Sequence, residues 1–259
     1  MISVGGYAVA AAAAFVAGGI NAVAGGGTMV SFPALLALGV ASVTSNATNT
    51  VALCLGYLGG AWAQRDDLIG WGKRARPLLV AGVVGGLCGS ILLVRTSDRL
   101  FSFLVPPLIL LACALLGFQR QIRQRLGIGV GASSDSMRPL SRAVVIAVFI
   151  AGIYGGYFGA GLGIMLLASL GVLLHGPLAS LNALKSMLSF VINISAAAFL
   201  SFSGHVHWGL VPVMAVASLL GGILGGRFAS RIDAVKLRRV IVAFGLLVAA
   251  RLIVAALQR

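Results

Sequence analysis

Glutamate is absent from this 259-residue chain, and its acidic residues are five aspartates: Asp66, Asp67, Asp98, Asp135 and Asp233. Each falls in a polar connection between apolar stretches, so no buried carboxylate is on hand to relay protons through a membrane. No serine–histidine–aspartate set, carboxylate pair or HExxH motif is present, which argues against an intramembrane enzyme. The three cysteines, Cys54, Cys88 and Cys113, stand singly in apolar segments without CxxC spacing. They read as small buried hydrophobes and exclude a disulfide framework. His205 and His207 lie beside Trp208 and His175 precedes Gly176-Pro177, with no cysteine or carboxylate next to them. Interfacial histidines explain them better than a metal site, and no cofactor is expected.

Apolar residues fill the space left by charge. Hydrophobic residues make up 59% of the chain and charged residues 9%, with a mean hydropathy of +1.06. That is more apolar surface than one soluble core hides, so the lipid bilayer is the expected solvent and partner. The net charge of +14 does not point to nucleic acid, because 14 of the 19 Lys and Arg fall in three short connections. Basic loops facing an anionic inner leaflet account for them. The first apolar stretch lacks a basic leader and is expected to stay in the mature protein.

Hydropathy predicts an all-α polytopic membrane protein with helices near 4–23, 28–38, 46–63, 78–94, 100–118, 144–158, 162–174, 181–201, 210–228 and 240–257. About eight of these are membrane helices, the short ones belonging to broken or re-entrant segments. A pattern repeats at an offset of about 135 residues. Gly18 and Gly25-Gly26-Gly27 recur as Gly152 and Gly159-Ala160-Gly161, Asn46 as Asn182, and Gly85-Gly86 with Gly89 as Gly221-Gly222 with Gly225. The division is a first repeat over 1–119, a basic cytoplasmic linker over 120–142 and a second repeat over 143–259.

Loop charge sets the relative orientation of the halves. The connection with Arg65, Lys73, Arg74 and Arg76 is basic, whereas its partner from Ser201 to Trp208 has no Lys or Arg. Arg95 and Arg99 mark a lightly charged turn whose partner carries Arg227, Arg231, Lys236, Arg238 and Arg239. Corresponding loops therefore prefer opposite sides, which requires inverted repeats with an odd number of crossings each. Three crossings plus a re-entrant pair, the short helix and the one after it, satisfy this. Eight full spans are the alternative, at the cost of one basic loop outside.

Irregular backbone at membrane depth is tolerated only where it is buried in protein or lines a polar cavity. The glycine runs at Gly26, Gly27, Gly159 and Gly161 are thus candidates to line one. So are two polar clusters: Asn21, Thr28, Ser31, Thr44, Ser45, Asn46, Thr48 and Asn49 in the first half, and Ser180, Asn182, Lys185, Ser186, Ser189 and Asn193 in the second. Hydroxyls and amides at helix starts suit anions, because unpaired N–H groups and the positive dipole end point together. Lys185 adds a full charge inside a hydrophobic segment, three positions after Asn182. An ionisable residue at such depth is a functional candidate by default. The plain alternatives are a lysine that snorkels and polar groups that only join helices. Together these features imply a secondary transporter for a small anion, with its site between the halves near the bilayer midplane.

The stretch Ala17-Gly-Gly-Ile-Asn-Ala-Val-Ala-Gly-Gly-Gly-Thr, followed by Phe32-Pro33 and the Ser/Thr/Asn-rich start of the next helix, resembles the TauE/SafE sulfite-exporter family. The second copy, from Ala151 through Gly155 to Gly163 and on to Asn182-Ala183-Leu184-Lys185, is similar to that family's repeat. The resemblance spans almost the whole chain. It implies a multi-pass permease of the bacterial inner membrane, exporting small sulfur-containing anions such as sulfite, sulfoacetate or other organosulfonates. A homodimer is the candidate assembly. The residues themselves leave open another small anion or the opposite direction of transport, and Asn49 standing where Lys185 recurs leaves the exact substrate open.

Overall fold

The computed structural model describes residues 2–23, 26–68, 70–118, 121, 124, 140–174, 176–228 and 234–257. Gly25, His175, Arg231, Asp233 and the linker residues Arg120, Arg123, Arg125, Asp135 and Arg138 lie outside them. Among the described residues there are ten α-helices: α1 Val4–Val23, α2 Thr28–Ala37, α3 Ser42–Ala63, α4 Arg76–Arg95, α5 Asp98–Gly117, α6 Arg142–Tyr157, α7 Leu162–Leu173, α8 Leu178–Ser201, α9 Val211–Phe228 and α10 Ala234–Leu257. Four helical segments, in α1, α4, α5 and α8, are long and apolar enough to cross a membrane. Large apolar side chains such as Phe103, Val80 and Leu247 stand exposed around the outside. Such a surface is stable against lipid and not against water.

Two boundaries differ from hydropathy. The polar run Ser42-Val43-Thr44-Ser45, expected as a break before a helix at Asn46, is the first turn of α3. The helix starts there without a side-chain cap of its own because Asp98, at the head of α5, accepts a hydrogen bond from the Val43 N–H at 2.8 Å. This cap comes from another helix and satisfies a donor that the first turn otherwise leaves orphaned. Helix α10 begins at Ala234, not near Val240, so Lys236, Arg238 and Arg239 are helical. Basic side chains lower hydropathy without opposing helix formation. Lys185 is also not alone among helical cations, since Arg251 lies within α10, exposed.

Glycines let helices from different halves touch backbone to backbone. A Cβ at Gly221 would overlap the Phe15 carbonyl of α1, and one at Gly85 would overlap the Phe149 carbonyl of α6. Gly89 meets Ile153 and Gly156 in the same way, and Gly225 meets Gly19. Such close approach is how helices associate where lipid removes the hydrophobic drive between them. α4 packs mainly on α6, α9 on α1, and α3 lies against α8. The short α2 doubles back on the helix before it: Gly27 rests on Ala17, and Leu38 reaches Gly6.

These contacts fix directions. α9 runs parallel to α1, with Tyr7 against Gly209 and Gly19 against Gly225, and parallel to α3, with Ser218 on Ala52 and Gly222 on Gly56. α4 runs parallel to α6. α3 and α8 are antiparallel: Gln64 bonds Asn182 and Ser186 at one end, while Val43 and Ala47 share a core with Leu200 at the other. The end of α3, the start of α4, the start of α6 and the end of α9 therefore share one end of the bundle. Arg65, Lys73, Arg74, Arg76, Arg142 and Arg227 collect there, and Arg95, Arg99, His205 and His207 sit at the opposite end. That second end is closed by an edge-to-face aromatic cluster of Phe32, Phe101, Tyr157 and Phe158, with ring centroids 5.5 to 6.3 Å apart.

Candidate functional site

Both glycine breaks turn on left-handed backbone. Gly26 has φ +114°, Gly159 φ +75° and Gly161 φ +77°, conformations that cost a side-chain-bearing residue of order 1 kcal/mol or more. Asn21, in the last turn of α1, holds the first break: its Oδ1 accepts the Gly26 N–H at 3.1 Å and the Gly27 N–H at 2.7 Å. Tyr154 holds the second by donating its hydroxyl to the Ala160 carbonyl. The chain can thus turn inside the bundle with backbone groups satisfied, as non-helical backbone away from water requires.

The breaks face a shared cavity, partly open to solvent. The first half contributes Asn21, Gly26, Tyr57 and Gln64, and the second contributes Gly159, Lys185, Ser186 and Ser189. Lys185 is partly exposed to it, its stem lying along Gly163. Among the described residues no carboxylate comes within ion-pairing distance of Lys185. The Nδ2 of Asn21 and the Oγ of Ser189 are buried without a hydrogen-bond partner. A cation and unpaired donors with no carboxylate among them suit an anion.

From the candidates, Asn21, Gly26, Gly159, Lys185, Ser186 and Ser189 line this cavity. Asn182 stands one contact behind, its Nδ2 bonded to Gln64 Oε1 at 2.6 Å. Gly27 and Gly161 shape the breaks, Gly161 lying against Ala112. The remaining polar candidates are not brought to the cavity. Ser45 bonds the Val40 carbonyl, Asn46 the Tyr157 carbonyl at 2.8 Å, and Asn49 reaches Thr28 at 3.5 Å. Only Asn46 joins the two halves; Ser45 and Asn49 bond within the first. Gln64 and Tyr57 escaped sequence reading because Gln64 ends a helix beside a basic loop and Tyr57 sits in an apolar run. The one available signal was that Gln64 directly follows the last turn of a membrane helix.

The family model described as sulfite exporter TauE/SafE matches residues 10–252. The chain belongs to the TauE/SafE family. A probable membrane transporter protein of Haemophilus influenzae is 27% identical over 248 residues, covering 92% of this chain and 91% of that protein. Probable membrane transporter protein ORF9 of Sinorhizobium sp is 25% identical, covering 93% and 90%. Probable membrane transporter protein YfcA of Escherichia coli K12 is 26% identical, covering 93% and 87%. No solved structure matches the chain. As a TauE/SafE member with several apolar helices, this is a multi-pass membrane protein and a probable membrane transporter.

Proposed function

We propose that this protein is a secondary transporter of the bacterial inner membrane that exports small sulfur-containing anions: sulfite, sulfoacetate or other organosulfonates. The observation that carries this reading is Lys185, without a carboxylate partner among the described residues, in a cavity whose polar lining comes from both halves. The family description supplies the sulfur chemistry. A sulfonate offers three acceptor oxygens to Lys185, Asn21 and Ser186, with the glycines at 26 and 159 letting it approach the backbone. No coupling ion is needed for exit, because an inside-negative potential favours an outgoing anion by about 2.3 kcal/mol per charge per 100 mV.

The transport cycle rests on two inverted repeats, 1–119 and 143–259, joined by the cytoplasmic linker 120–142, with the site between them near the midplane. Two observations support that division. The Phe15–Gly221 contact has its counterpart in Phe149–Gly85 with the halves exchanged, and α3 runs against its counterpart α8. The clustered basic connections give the cytoplasmic end, and a homodimer is the candidate assembly.

Flux of labelled sulfoacetate from proteoliposomes tests the function, and its absence under an imposed potential would overturn it. Two narrower results are expected. In a cysteine-free background, Ser203→Cys and Lys73→Cys should react with an impermeant maleimide from opposite sides of the membrane; labelling of both from one side contradicts the orientation. Gln64→Leu removes the partner of Asn182 and Ser186 and should weaken sulfoacetate binding about tenfold, since each buried group left unpaired costs about 1–3 kcal/mol. Unchanged affinity would show that Gln64 does not shape the site.

A further inference from the structure

We infer that this protein exchanges small monovalent anions across the membrane faster than it exports them one way, because the cavity closes slowly over Lys185 unless an anion lies beside it. This is a further activity of the proposed site, and it rests on the transport reading above.

The basis is the charge of the lining. Among the described residues that line the cavity, Lys185 alone is charged; the rest are amides, hydroxyls, glycines and apolar side chains. Asp66 is paired with Arg65 at 3.7 Å, and Asp98 accepts the Val43 N–H at the opposite end of the bundle. Lys185 stands seven residues into α8, which begins at Leu178, or about 10 Å along the helix. Its stem passes the second break: a carbon added at Gly163 would lie 3.7 Å from Lys185 Cδ and 4.0 Å from Cε. Hydroxyl and amide oxygens nearby, such as those of Ser186, Ser189, Tyr57 and Gln64, can accept its hydrogen bonds. They supply dipoles but no countercharge.

While the cavity is open, water shares the burden of the ammonium. To face the other side of the membrane the cavity must close, and a cation shut away from water without a countercharge is costly. A bound monovalent anion brings that countercharge together with charge-assisted hydrogen bonds. The loaded protein therefore changes face readily, and the empty one does so slowly. One-way export needs an empty return in every cycle, whereas exchange does not. An anion waiting on the far side removes the slow step. The same accounting locates the effect of voltage: the loaded cavity is neutral and the empty one carries one positive charge, so an inside-negative potential acts on the return of the ammonium.

Methanesulfonate, a monovalent organosulfonate, is the probe. Proteoliposomes of the full-length protein are loaded with labelled methanesulfonate, and potassium with valinomycin holds the potential at zero. Release is followed into a medium whose only anion is gluconate, or into one holding unlabelled methanesulfonate. Outside methanesulfonate should speed release at least about tenfold over gluconate. Ser189→Asp places a carboxylate one turn along α8 from Lys185, in the same cavity, where an i, i+4 pair can form. It should weaken binding while bringing the two rates together. Equal release into both media overturns the inference and leaves one-way transport standing; an empty protein that returns with its lysine deprotonated would give that result. Release of sulfoacetate but not of methanesulfonate also overturns it. Retention of both anions in both media instead removes the transport reading. The wild-type comparison decides the matter even where the aspartate variant fails to fold; where it folds, an unchanged ratio counts against the inference.

Discussion

Lys185→Met should abolish the proposed sulfoacetate binding, with affinity falling by about 100-fold or more, while the protein still expresses and elutes as a single species. The side chain lies near the start of α8, its stem along Gly163, with no ion-pairing carboxylate near it among the described residues. Charge-assisted hydrogen bonds are about twice as strong as neutral ones, and an anion enclosed away from water loses the whole of that interaction when the ammonium goes. Methionine keeps the unbranched stem and packs well in irregular apolar space. A lysine that merely snorkels to headgroups predicts a different result, namely unaltered binding. Equilibrium binding of labelled sulfoacetate to wild type and variant separates the two, and a variant that binds normally removes Lys185 from the site.

The second large effect concerns assembly of the bundle. Gly221→Leu and Gly85→Leu should each prevent recovery of folded protein, because the first added carbon already overlaps the carbonyl of Phe15 or Phe149. Backbone is the obstacle, so no rotamer change relieves it and the helices must separate. Overpacking of this kind costs about 1–3 kcal/mol where side chains can yield, and more where they cannot. The two variants should fail to the same degree, since each breaks one of two contacts related by exchange of the halves. Gly59→Ala is the control: nothing lies within 4 Å of the added carbon, and replacing a mid-helix glycine there should be neutral or stabilising by up to about 1 kcal/mol. Recovery after detergent extraction and the temperature of aggregation measure all three. A folded, monodisperse Gly221→Leu protein would contradict the close α1–α9 contact.

Much of the helical layout was legible because its causes are local. Apolar runs longer than a bilayer is thick become helices, and glycine runs inside them become breaks, as at Gly26 and Gly159. The start of α3 was misread for a nonlocal reason: Asp98 caps it from 55 residues away. The candidate site was half legible. Lys185 and Asn21 stood out as polar groups in apolar surroundings, and both line the cavity. Asn46 and Asn49 stood out equally, yet they bond across helices at Tyr157 and Thr28. A pattern of polar residues does not distinguish groups that serve a guest from groups that serve the fold, since both are polar residues kept from lipid.

From the sequence alone came the solvent of this protein, the number and order of its main helices, the places where they break and the positions of its basic connections. These follow from hydropathy and backbone stereochemistry, which act within a turn or two of chain. Tertiary packing decided which helices touch, that Gln64 joins Asn182 and Ser186, and which amides and hydroxyls face the cavity. Hydrogen-bond valence is shared between segments more than a hundred residues apart, so the character of the site exists only once those segments meet.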